Sequence, residues 1–252
     1  MHELAISADG MQILGSPSRG VRQVGAIVKP GGFQGWQGLP AGRREALARA
    51  GGHGEHDVPT FLPARVVTVD AWVLADSASA LGHLGDSLVS IGATGDRFRF
   101  SVSMYGETRW AYARRISAEF DDSGARRGDY RGEFQLQVVC ADPRKYGEIR
   151  EFPSRGFPVP VFHQGNFSAF SEIEVWEAPS SYSVTSPGGT FTVSGATSGG
   201  THVIDMRTGR VFRNGVEQFD VGRGDLWSVP RGAVWEHTVS APGVIRIPDT
   251  DI

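Results

Sequence analysis

The 252-residue sequence contains one cysteine, Cys140, and two lysines against 23 arginines. A single cysteine excludes an intrachain disulfide and any zinc site built on thiolates. Its position on the apolar side of an alternating stretch makes it a packing residue. Long hydrophobic runs are also missing: nowhere do eighteen apolar residues stand together, and the start, MHELAISADG, has neither a basic nor an apolar stretch. The expectation is a chain made in the cytoplasm that stays soluble, with no membrane anchor. There is no surplus of positive charge either. A net charge of -3 with scattered arginines disfavours a dedicated nucleic-acid or anionic-membrane binder. G-x-S-x-G, Walker and H-E-x-x-H motifs are absent, and Gly20-Val21-Arg22 and the glycine pairs read as turns without a phosphate-cradling context.

What is present describes a globular β protein. Apolar residues make up 40% of the chain and charged residues 21%, and 34 glycines with 14 prolines suit many short strands joined by turns. The length allows one large core or two of ordinary size. Between Asp96 and Cys140 the apolar period is two. Phe98, Phe100, Val102 and Met104 share one face of a first strand; Trp110, Tyr112, Ile116, Ala118 and Phe120 share a face of a second; Phe134, Leu136, Val138 and Cys140 share a face of a third. This predicts a three-stranded antiparallel meander. Upstream, ARVVTVDAWVLA (64 to 75) is apolar on both sides, as a central strand is. Leu81, Leu84, Leu88 and Ile91 lay one apolar stripe on a helix, which Gly82 and Gly85 are expected to shorten or fray.

Two segments differ in character. The connection from 29 to 63 is rich in Gly and Pro, with one helix-capable patch, GRREALARA; its length points to a functional or disordered segment. EIREFPSRGFPVPVFHQGN (148 to 166) carries Pro153, Pro158 and Pro160 and reads as a linker or edge crossing. A second β region follows, with EIEVWEA, YSVTS, TFTVS, a hairpin tipped by Thr208-Gly209, a tight turn at Asn214-Gly215, and DLWSVPRGAVWEHTVS and GVIRIP. Short strands without helices predict a sandwich. ADPRKYG (141 to 147) then marks the junction of two domains.

Three clusters have candidate chemistry. His53, Glu55, His56 and Asp57 crowd four potential metal ligands into one loop, but adjacent residues in irregular chain seldom converge on one ion, and a polar loop tip is the plainer reading. Glu172, Glu174 and Glu177 offer carboxylates for glycoside hydrolysis, but that needs acids opposed across a cleft, whereas Glu172 and Glu174 share one strand face. Trp227 and Trp235 could stack on a sugar, or fill the core of the second region.

The segment GGHGEHDVPTFLPARVVTVDAWV, the helix leading to GDRFRF, the meander ending in FQLQVVCADPRKYG, and the later GNFSAFSEIEV, THVIDMRTGRVFRNG and DLWSVPRGA resemble the distal tail protein (Dit) family of siphophages, in its actinobacteriophage minor tail protein form. The resemblance spans most of the chain from about Gly51 onwards. It implies a mainly β protein: a tail-tube-like, ring-forming domain with one helix over 1 to 147, containing the 29 to 63 connection, and a galectin-like β-sandwich over 148 to 252. It further implies a structural virion protein of the tail tip, not an enzyme, with no catalytic residue, cofactor or metal. Six copies would form a ring joining the tail tube protein to the hub and fibre proteins, with the tape measure protein as a further neighbour and double-stranded DNA crossing the lumen without specific binding. Sugar-binding versions carry insertions in the second domain, where this chain has short turns. On this reading the sparse 29 to 63 connection orders against a neighbouring subunit, through Phe33, Trp36, Arg43 and Arg44, and a lumen that must not retain phosphate is acidic or neutral, through Asp121, Asp122 and Asp129. Two other classes stay open: a β-sandwich carbohydrate-binding, host-receptor protein and a sandwich-fold hydrolase.

Overall fold

The computed structural model describes residues 4–15, 23–39, 41–126 and 128–252; Gly20, Val21, Arg22 and Arg127 lie outside them. The chain divides into two compact units, Met1–Lys145 and Tyr146–Ile252.

Seven strands and one helix build the first unit: β1 (Ala5–Ala8), β2 (Met11–Leu14), β3 (Gly25–Gln34), β4 (Arg65–Leu74), α1 (Ala78–Val89), β5 (Phe98–Met104), β6 (Glu107–Asp121) and β7 (Arg131–Cys140). Neighbours run β5-β1-β2-β3-β4-β7-β6, and β6 also pairs with β5, which closes a barrel. Closure leaves no strand edge unpaired within it. Alternation decides what lies inside. Val67, Val69, Ala71 and Val73 of β4, Phe98, Phe100 and Val102 of β5, and Phe134, Leu136, Val138 and Cys140 of β7 are all buried in one core. The β5–β6–β7 meander is antiparallel, as its pattern predicts. Burying a side chain of this size stabilises by about 1.5–3 kcal/mol.

Strand β6 departs from expectation. The residues that face the core from its first half are Ala111 and Ala113, while Tyr112 is exposed and Trp110 half-buried. The pairing with β7 shifts between Arg115 and Ser117, so Ile116 is an extra, bulged residue and is 52% exposed. After that bulge the inward phase changes, and Ala118 and Phe120 pack on the core. One strand thus carries two inward phases, which no single period-two reading accommodates.

Helix α1 runs unbroken through both glycines. Ser77 caps it, its hydroxyl accepting from Ala80 N at 3.1 Å. Leu81, Gly85 and Leu88 form its buried stripe, and Ile91 lies buried just beyond it. Gly85 is required by packing: a Cβ there would fall 2.4 Å from Cε1 of Phe120. The expected fraying fails because packing against β4, β6 and β7 outweighs about 1 kcal/mol of glycine helix propensity.

The second unit holds β8 (Lys145–Ser154), β9 (Val159–Val161), β10 (Glu172–Val175), β11 (Ser181–Ser186), β12 (Gly189–Ser194), β13 (His202–Asp205), β14 (Arg210–Arg213), β15 (Val216–Gln218), β16 (Gly222–Gly224), β17 (Trp235–Val239) and β18 (Gly243–Asp251). One sheet runs β15-β14-β13-β10-β18-β8 and another β16-β12-β11-β17-β9. Ile173, Ile204 and Ile245 of the first share a core with Val184, Phe191 and Val239 of the second. The turns follow local chemistry: Asn214 and Gly215 take φ of 47° and 82°, the left-handed pair of a tight hairpin. The stretch 148 to 166 is not a linker. It supplies most of β8 and all of β9, and Pro160 is tolerated because β9 is an edge strand.

Candidate functional site

The connection after β3 begins later than its composition suggests, because β3 continues through Pro30 and two glycines to Gln34. From Gly35 to Ala64 the chain makes an arm closed by two isolated bridges, Arg43 with Phe61 and Ala48 with Glu55. Arg43 N donates to Phe61 O at 2.7 Å and Phe61 N to Arg43 O at 2.9 Å; farther out, His56 N donates to Leu47 O at 2.9 Å. GRREALARA therefore forms one side of this ladder and not a helix. Between Ala41 and Ala64 only Ala46, Val58 and Leu62 are half-buried; the rest is exposed, including Leu47 at 75% and Phe61 at 61%.

The arm's base is fastened firmly. Trp36 is buried and stacks on Phe100 with ring centroids 5.6 Å apart. Gly35 (φ 80°) has no room for a side chain, since a Cβ would meet Val66 O at 2.0 Å. Arg65 is fully buried. Its Nη1 donates to Gly35 O at 2.8 Å, Trp36 O at 2.9 Å and Gly38 O at 2.6 Å, and its Nε donates to Pro143 O at 3.0 Å. Among the described residues its Nη2 has no hydrogen-bond partner. Burial lowers the Arg65 pKa, yet an arginine remains charged, and burial pushes the neighbouring Cys140 thiol up to about 11. Cys140 is thus an inert core residue.

Of the four residues expected to face a neighbouring subunit, Phe33 is half-buried against the barrel core and Trp36 lies inside it. Arg43 and Arg44 are exposed. Arg43 meets Glu45 at 3.4 Å, a surface pair worth at most about 1 kcal/mol. Arg44 bridges Glu55 and Asp57, so two carboxylates of the His53–Asp57 loop face a guanidinium. No group of three or more His, Cys, Asp or Glu suited to a metal occurs among the described residues.

Asp121, Asp122 and Asp129 lie at the β6–β7 turn. Asp121 accepts from Ser123 N at 2.8 Å, a bond that lowers its pKa, while Asp122 O accepts from Ala125 N at 2.8 Å and Asp129 bridges Arg126. Sequence reasoning missed the acidic face beside them. Register sets Gln135 between Asp70 and Glu119, and Glu133 between Trp72 and Asp121. Gln135 donates to Asp70 at 2.7 Å and Lys29 meets Glu133 at 2.7 Å. Four strands contribute to this face, so no local sequence signal announces it.

The other candidates are structural. Trp227 is buried although it lies outside any strand, and it donates to His237 Nε2 at 3.0 Å; Trp235 packs on the same core. Glu174 pairs with Arg246 and accepts from Trp176 Nε1 at 2.6 Å, which holds its pKa below the usual carboxylate value. Arg246 is shared with Glu151 at 2.7 Å. Glu172 and Glu174 project from one face of β10 and so are not opposed across a cleft.

No protein-family model matches the sequence, and no curated protein sequence is similar to it. Solved structures are more informative. The crystal structure of SPP1 Dit, described as a paradigm of the hub adsorption apparatus in phages infecting Gram-positive bacteria, superposes with a TM-score of 0.72 over 99% of both chains at 18% identity. The chain has the fold of SPP1 Dit. A chain of the phage P2 baseplate in its activated conformation is similar at a TM-score of 0.53, covering 98% of each chain at 8% identity. The Dit-like fold agrees with the resemblance carried by the sequence motifs. No helix among the described residues is long and apolar enough to cross a membrane.

Proposed function

We propose that this chain is a structural protein of a phage tail tip, a distal tail protein whose copies form a ring between the tail tube and the hub and fibre proteins. The observation that carries this reading is the extent of the likeness to SPP1 Dit. It covers 99% of both chains, so the barrel and the two-sheet unit occur together and in the same order. The virion is then the protein's location, and its second unit is a galectin-like sandwich.

The arm supports self-assembly. Leu39, Leu47 and Phe61 are apolar, more than 60% exposed, and left uncovered by their own chain. Arg43 and Arg44 are its subunit-facing charges, whereas Phe33 and Trp36 anchor its base. A ring of about six copies with Asp121, Asp122 and Asp129 toward its lumen would let DNA through, because only Lys and Arg gain by releasing counterions from phosphate. The receptor-binding reading loses the two aromatics that suggested it, since Trp227 and Trp235 pack in the core.

Mass photometry and negative-stain imaging of the purified full chain test the proposal. Ring particles with a central hole are expected at micromolar concentration. A monodisperse monomer throughout that range would overturn it.

A further inference from the structure

Two charge patterns on the outer face of the barrel have, apart from Asp121 at the end of the second, no role in the assembly described so far. The first lies before β5 and on β5 and the first half of β6. There Arg97 sits over the Tyr112 ring at 4.2 Å and Arg99 over the Trp110 ring at 4.6 Å, and the two rings meet edge to face at 5.3 Å. Both arginines are exposed, and neither has a carboxylate partner among the described residues. Stacking on a ring holds a guanidinium plane in place and leaves its N–H edge free to donate. The second pattern lies on β4, β7 and the second half of β6. Asp70, Glu119 and Glu133 face outward together, and among the described residues lining this face Lys29 is the cation. The Glu133 side chain is 61% exposed despite its ion pair.

We infer that these two faces dock on each other between copies of this chain, the Arg97/Arg99 face of one on the Asp70/Glu119/Glu133 face of the next. The inference rests on the ring assembly proposed above and names the contact that builds it. Charge complementarity selects a second copy as the occupant: donors fixed in a plane on one face meet carboxylates on the other, the arrangement that gives paired guanidinium–carboxylate bonds. A two-fold contact would also set each face on its opposite, so it is the ring proposed above, and not the charges, that makes the contact heterologous and repeating from copy to copy. In the closed barrel the first face is centred on β5–β6 and the second on β7, so the two are not diametrically opposed. Successive copies therefore turn as they add, which favours a ring over a straight fibre. The bulge at Ile116 contributes directly, because the changed phase is what brings Glu119 outward on the strand that carries Tyr112.

The test is a charge exchange in the full chain, read by mass photometry, with near-ultraviolet circular dichroism to establish that each variant is folded. R97E/R99E and E119R/E133R are each expected to raise the half-assembly concentration about tenfold or more. Mixed in equal amounts they are expected to form rings again, with the two variants alternating, and this also shows that each had kept its fold. Rings formed by the wild type and by both variants alone would overturn the docking while leaving the ring itself in place. A wild type that stays monomeric overturns both. Loss of rings in R97E/R99E but not in E119R/E133R would give the arginine face another occupant and leave the acidic face to line the lumen. DNA retained by the wild type and released by R97E/R99E would make that occupant nucleic acid. Either result sinks the proposal.

Discussion

The two units bury different basic side chains. The barrel unit buries a permanent cation, Arg65, and satisfies it with backbone carbonyls; its described histidines, His53, His56 and His83, all lie outside the core. The two-sheet unit buries three imidazoles, His163, His202 and His237. Each gives one ring nitrogen to a carbonyl and takes a donor on the other. Trp227 N–H donates to His237 Nε2, so Nδ1 carries the proton and donates to Trp235 O at 3.1 Å. Gly165 N donates to His163 Nδ1 at 3.1 Å, and the Tyr182 hydroxyl meets His202 Nδ1 at 3.3 Å. The contrast teaches where each unit is vulnerable. A guanidinium keeps its charge at any ordinary pH, whereas the His237 ring, whose pKa burial lowers and whose two nitrogens already have opposite hydrogen-bonding roles, resists a second proton.

The largest expected effect tests whether the two cores are separate at all. Phe134 is only 2% exposed in the barrel, and Phe134→Ala should cost the first unit roughly 3–5 kcal/mol through lost burial and a residual cavity. Calorimetry should then show one transition lowered and the other unmoved. A parallel fall in both would erase the comparison.

Next comes the buried cation. Arg65→Met fills a similar length but strands the carbonyls of Gly35, Trp36, Gly38 and Pro143, at a cost of about 2–4 kcal/mol. The loss should be the same at pH 7.5 and pH 5.5, and limited proteolysis should find new cuts between residues 39 and 62, where the arm loses its anchor. An unchanged digestion pattern would mean that Trp36 alone holds the base.

The smallest effect is the one that separates the units by pH. Burial lowers the pKa of His237 below the 6.5 of a free imidazole. Above that value both folded and unfolded chains hold a neutral ring, and the stability is fully present. As pH falls below it the unfolded chain takes up a proton that the folded chain resists, so stability is lost until the folded pKa is passed. The melting temperature of the second unit should drop between pH 7.5 and pH 5.5, and His237→Gln, which keeps an acceptor for Trp227, should flatten that dependence. A slope unaltered by the substitution would assign the acid sensitivity elsewhere.

Much of this molecule was legible before any coordinates. The outward and inward residues of β5 and β7, the buried Cys140, the apolar stripe of α1 and the hairpin turn at Asn214-Gly215 all follow from period, branching and turn chemistry within a few residues. Asp9-Gly10, with φ of 48° and 82° between β1 and β2, carried the same kind of turn signal in a region that the resemblance scarcely reached. Those features depend on local sterics, so a short window contains their cause.

Other features have no local cause. Strand β6 changes phase only because its second half pairs with β7 after a bulged Ile116; prolines at 153 and 160 mark strands and not a linker; and Trp36 leaves an apparently sparse loop for the barrel core. The arginine face needs the β5–β6 register, and the acidic face exists only once β4, β6 and β7 are paired. By itself the sequence determined the strand periods, the turns and a Dit-like resemblance. The tertiary structure alone decided which outward residues of different strands come together as one face, because register is set by pairing partners distant along the chain.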